Sequence, residues 1–166
     1  MKKKLKKAPY KERSDSEKLL AQWNKIQALC RRRDWSAAVI RAATAVEVCL
    51  NLAARKVTPN TSLEEKENLD EKLRKANGML GKFKEILIPT ESDVTRKQNL
   101  VNLRDQIVDL NDKRNAIVHS GEFCNKRVSR QLIHEAQTVI RSIIAIYAPT
   151  SDVVLKDILA LRLRTK

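Results

Sequence analysis

Three glycines and four prolines in 166 residues leave too few turn residues for the hairpins of an all-β sandwich or barrel. Aromatic residues are scarce too, at 4%, yet 42% of the chain is hydrophobic, enough to bury a core. Cysteine is too sparse for a disulfide framework: Cys30, Cys49 and Cys124 are odd in number and irregularly spaced, which points to a reducing compartment. Together with His119 and His134 they lack the paired spacing of a zinc site, so neither a metal nor a cofactor is expected. No Gly-rich phosphate loop, nucleophile elbow or His-Glu-x-x-His motif occurs, which sets aside phosphate-loop kinases and zinc proteases. No stretch reaches the ~18 apolar residues of a membrane span. The basic start, Met1 to Lys7, is followed by charged and polar residues where a signal peptide needs about 7–15 apolar ones. The expectation is a soluble, cytoplasmic protein with no membrane partner.

Positive charge is abundant. Thirty-four Lys and Arg against 20 Asp and Glu give a net charge of +14, a surface suited to a polyanion such as RNA. The length fits one domain. Residues 1–13 carry one acid, Glu12, among seven cations and cannot bury enough apolar surface to order themselves, so they read as a flexible basic tail. Lys2, Lys3, Lys4, Lys6 and Lys7 are its candidate RNA contacts, and 14–166 is the folded domain.

That domain reads as all-α. Ser14 with Glu17 forms a capping box, followed by Leu19, Trp23, Ile26 and Cys30 at helical spacing to Arg32. Asp34 caps a second helix from Trp35 to about Lys56, with a stripe of Val39, Ala43, Val46, Leu50 and Ala53. A third opens at the Ser62/Glu65 box, carries Leu69, Leu73, Leu80, Phe83 and Leu87, and stops at Pro89, with Gly78 and Gly81 as points of bending. The fourth runs from about Asp93 to His119, ending where Gly121 offers a left-handed cap. A fifth spans about Lys126 to Tyr147, and a short amphipathic helix, 151–162, follows Pro149. Short loops between such helices predict an up-down bundle of four to five helices with a short C-terminal helix.

Two features of the fourth helix point to chemistry. Its apolar seam, Leu100, Leu103, Ile107 and Leu110, continues onto Arg114 and then Ile117, which puts an arginine at a core position. A buried guanidinium needs a carboxylate or bound anion, and Glu47, between Val46 and Val48, is the candidate partner. At about 100° per residue, Val101, Val108, Asn115 and His119 form a second stripe, apolar first and polar last. That stripe suits a second subunit.

The segment Arg114-Asn115-Ala116-Ile117-Val118-His119 resembles the Arg, polar residue, His signature of the HEPN superfamily, small helical bundles that include many ribonucleases of toxin-antitoxin, abortive-infection and CRISPR systems. The resemblance extends to Asp34-Trp35 through Arg55 and to the bundle layout, roughly residues 16–148. It implies a homodimer in which both Arg-x4-His motifs line one composite cleft and cut RNA without metal, with an antitoxin or regulatory protein as partner. In the branch regulated by nucleotidyltransferases a tyrosine follows the histidine by two residues; here Ser120 and Gly121 stand there, which speaks against that control. The chemistry is compatible with the rest. An imidazole can take a proton from a ribose 2′-hydroxyl or give one to the leaving oxygen. Arg114 can stabilise charge on the pentacovalent phosphorus, and Asn115 can orient the phosphate or the imidazole. The product of 2′-hydroxyl attack is a 2′,3′-cyclic phosphate. The alternatives are a non-catalytic HEPN-like module that binds a nucleotide or nucleic acid, or an assembly surface, with Arg114 and Glu47 a structural pair.

Overall fold

The computed structural model describes residues 9–58 and 62–147, and every regular element in them is helical. The chain runs α1 (Asp15–Arg31), α2 (Trp35–Val57), α3 (Leu63–Lys75), α4 (Gly78–Lys82), a π turn (Phe83–Leu87), α5 (Ile88–Thr90), α6 (Val94–Gln106), α7 (Val108–Ser120) and α8 (Lys126–Tyr147). This is the all-α bundle expected. The lysines Lys2, Lys3, Lys4, Lys6 and Lys7 and the C-terminal helix expected at 151–162 lie outside the described residues.

The expected caps set the helix starts. Ser14 Oγ accepts from the Glu17 amide while Glu17 Oε2 accepts from the Ser14 amide, so two of the orphan donors at the start of α1 are satisfied. Ser62 and Glu65 repeat the device at α3, and Asp34 Oδ1 accepts from the Ala37 amide at α2. The segment preceding α1 is not featureless to its end: Tyr10–Glu12 form a 3₁₀ turn, and the Tyr10 hydroxyl accepts from Gln22 Nε2 at 2.8 Å.

The core forms around α2, which buries eleven of its residues against α1 on one side and α8 on another. α1 runs antiparallel to α2, since Arg55 near the end of α2 pairs with Asp15 at the start of α1 at 3.1 Å. α8 runs parallel to α2: Ser129 Oγ donates to the Trp35 carbonyl at one end and Cys49 Sγ to the Ile140 carbonyl further along. Contrary to the expectation from sequence, α2 is long and apolar enough to cross a membrane by length and composition. Its most apolar window is 61% buried inside the bundle, the situation of a core helix.

Two helices differ from the sequence expectation. The third is interrupted at Ala76 and Asn77, restarts at Gly78 and ends at Thr90, one residue beyond Pro89. A proline inside a helix lacks the N–H and collides with the carbonyl four residues back. Here the turn before it widens, the Ile88 amide bonding five residues back to the Phe83 carbonyl, and the chain passes Pro89 to Thr90. The fourth is two helices. At Ile107 (φ −106°, ψ 9°) the amide turns back to the Arg104 carbonyl at 3.2 Å, which ends α6, and α7 begins at Val108.

Candidate functional site

Leu100, Leu103, Ile107 and Leu110 are buried as expected and Ile117 packs half-buried against the core, but Arg114 on the same seam is only half-buried. Arg114 is therefore not a core arginine. Its NH1 donates to Asn115 Oδ1 at 2.9 Å, and among the described residues no ion pair joins it to Glu47. Glu47 is half-buried and faces α4 instead: its Oε1 lies 3.7 Å from where a Cβ on Gly78 would stand, and its charge acts on Lys82. The expected Arg114–Glu47 partnership is not formed: Arg114 bonds to Asn115 on its own helix, and Glu47 faces α4.

His119 is exposed in the last turn of α7. Gly121 closes that helix at φ +65°, a left-handed conformation that costs a side-chain-bearing residue about 1–2 kcal/mol, and the Glu122 amide returns to the Ala116 carbonyl at 3.3 Å. Three contacts hold the connection beyond. Lys113 Nζ pairs with Glu122 Oε2 at 2.5 Å, and that carboxylate holds the Lys113 ammonium above the usual lysine range. The Cys124 amide donates to Ser36 Oγ at 2.9 Å, and Asn125 Oδ1 accepts from the Val128 amide to cap α8. Phe123, between these anchors, is 91% exposed.

The end of α7 is thereby fixed beside the starts of α2 and α8 and the end of α1, and this is a basic surface that the sequence reading did not assemble. Arg31, Arg32 and Arg33 close α1, while Lys126, Arg127 and Arg130 open α8. Burial pushes the Cys30 thiol up, and the Arg130 guanidinium close by pulls it back, so the two clusters adjoin. The amino ends of α2 and α8 and the carboxyl ends of α1 and α7 meet here, so their dipoles offset one another and the positive charge is that of the side chains. Arg33 holds φ +62°, a position where glycine is favoured. The Arg-Arg-Arg run was the sequence signal; its neighbours lie almost a hundred residues away along the chain.

Four large apolar side chains are exposed nearby in the chain: Val108 at the start of α7, Val118 near its end, Phe123 in the loop after it and Val128 in the first turn of α8. A groove of about 410 Å³ runs between α7 and α8, with Asp112, Ala116, Val128 and Leu132 among its walls, but Arg114, Asn115 and His119 are not part of it. No family model matches the chain, and neither curated proteins nor solved structures give a match.

Proposed function

We propose that the protein is a metal-independent endoribonuclease of HEPN type that acts as a homodimer, with Arg114, Asn115 and His119 of both chains in one cleft. The observation that carries this reading is the arrangement at the end of α7: a guanidinium hydrogen-bonded to an amide, an exposed imidazole one helical turn further on, and a basic surface around them. His119 moves the protons, from the 2′-hydroxyl and to the leaving 5′-oxygen. Arg114 meets the charge that builds on phosphorus, and its bond to Asn115 fixes the amide for a phosphate oxygen. Arg31, Arg32, Arg33 and the first turn of α8 bind flanking phosphates. The exposed apolar group around Val118 and Phe123 supplies the contact with the second chain, which brings a second His119 to a site that is open in one protomer. A cytoplasmic role in toxin-antitoxin control or antiviral defence fits such an activity.

One observation favours the second reading, a non-catalytic module that binds RNA. Among the described residues the His119 ring has no hydrogen-bond partner, whereas a working acid or base is held by a neighbour. One experiment separates the two. Purified protein is incubated with RNA in EDTA, beside His119→Ala and a substrate with a 2′-deoxy residue at the cleavage position. Cleavage that needs His119 and the 2′-hydroxyl supports the nuclease; RNA binding without cleavage supports the module; cleavage that persists in His119→Ala sinks both assignments.

A further inference from the structure

Phe123 has no place in its own protomer. It is 91% exposed, and the residues on either side of it are tied down, Glu122 by Lys113 and Cys124 by Ser36. The ring is therefore held out in water rather than laid back on the helices. Covering an aromatic ring of this kind removes about 150–250 Å² from water.

The groove between α7 and α8 is the matching hollow. It measures about 410 Å³, and half-buried Ala116 and exposed Val128 give it apolar walls. Phe123 precedes Val128 by five residues, a stretch that spans at most about 18 Å, so ring and groove lie on one patch of surface. That is the condition for a two-fold contact, in which each copy presents the same patch and each ring meets the other copy's groove. Two rings seated in this way bury roughly 300–500 Å², about a quarter of a standard interface. Central aromatic anchors of this kind carry most of the energy of an interface.

Charge selects the same occupant. In a chain of net charge +14, this groove carries two exposed carboxylates, Asp109 and Asp112. They repel an RNA backbone and attract a cation. Asp112 stands one helical turn before Ala116, the nearer of the two to the loop, and among the described residues it is in no ion pair. Lys126, three residues after Phe123, is exposed and equally unpaired among them. A second copy that brings Phe123 to the groove thus brings an ammonium to its acidic wall, and Arg127 and Arg130 stay available for phosphates.

We infer that Phe123 of each chain seats in the α7–α8 groove of a second copy, against Ala116 and Val128, with Lys126 paired to Asp112 across the interface. This rests on the homodimer reading above and names the surface that forms it. Sedimentation equilibrium of the full chain measures the dimer's dissociation constant. Phe123→Ala should weaken the dimer at least about 30-fold, the loss of an interface anchor, with the melting temperature unmoved because the ring is exposed. Asp112→Lys and Lys126→Asp, both at exposed positions, should each weaken it about tenfold or more by placing like charges together. Mixed with each other, these two variants should form a heterodimer about as tight as the parent. One of its two charge contacts is reversed and the other is native, and an effect confined to one chain cannot be rescued by another. The inference is overturned if Phe123→Ala dimerises as the parent does, or if the mixture associates no better than either variant alone. Either result with a dimeric parent and intact RNA cleavage leaves the nuclease reading standing. A Phe123→Ala protein that is monomeric yet cleaves RNA at the parent's rate supports this contact and sinks the composite cleft instead. A parent that is monomeric at about 50 μM overturns both.

Discussion

Eleven of the 23 residues of α2 are buried, whereas in α7 Leu110 alone is, among 13. The two helices pack against each other, α2 at the centre of the core and α7 at its margin. α2 spends its side chains on closing the core: Val39, Val46 and Leu50 are fully covered, each contributing about 1.5–3 kcal/mol by burial. α7 keeps a chain of half-buried residues from Lys113 to Ile117 and exposed Val118 and His119. A helix that gains so little from its own protomer has side chains free for something outside it, and substitutions in the two helices should fail in different ways.

The largest effect belongs to α7 and to activity. His119→Ala should lower the rate of RNA cleavage in EDTA by about 10²–10⁴, with the melting temperature unmoved, because the ring is exposed. Arg114→Ala should fall as far, with only a small loss of stability. A large drop in melting temperature for either would erase the distinction between the helices. Next comes α2 and stability: Leu50→Ala should cost about 2–5 kcal/mol in chemical denaturation, against no more than about 0.5 kcal/mol for Val118→Ala. Equal losses would mean that α7 carries core weight after all.

Oligomeric state sharpens the same contrast. Light scattering at about 50 μM should give twice the chain mass, a concentration well above a ~1 μM dissociation constant, and Val118→Asp with Phe123→Ser should halve it without loss of helicity. A parent protein that is monomeric there removes the reason for the exposed apolar group. The smallest effect is at Arg33. Arg33→Gly relieves the left-handed backbone and should stabilise by about 1 kcal/mol, or roughly 2–4 °C, while RNA affinity falls and its salt dependence flattens by roughly 0.7 in slope. Unchanged RNA binding would separate the basic end from RNA recognition.

Much of the scaffold was legible because it is written locally. Ser14/Glu17, Asp34, Ser62/Glu65 and Gly121 act within one turn of themselves, and each stands where its spacing put it. The break at Ile107 was not legible, since no glycine or proline marks it and the apolar spacing runs straight across. Apolar spacing made Arg114 look like a core residue and Glu47 look like its partner, since it shows neither how deep the last turns of a seam lie nor which way Glu47 faces. Pro89 marked the end of its helix to within one residue. The basic end was invisible for another reason. Arg31 to Arg33 and Lys126 to Arg130 are brought together by the contacts of Ser36 with Cys124 and of Trp35 with Ser129, between segments some ninety residues apart.

The pairing of α2 with α8 has a consequence for how the protein is made. Among the described residues the most apolar helix is α2, covered on one side by α1, already synthesised, but on the other by α8, the last described helix. About ninety residues separate the end of α2 from the end of α8, so at ~5–20 residues per second the ribosome leaves that apolar face open for roughly 5–20 s. During that interval the nascent chain presents a long apolar helix with one face uncovered. A holdase chaperone that shields apolar segments is the natural occupant of that face until Ile133, Ile140 and Ile144 arrive, and truncation anywhere within α8 should send the protein to aggregates rather than to a smaller folded bundle.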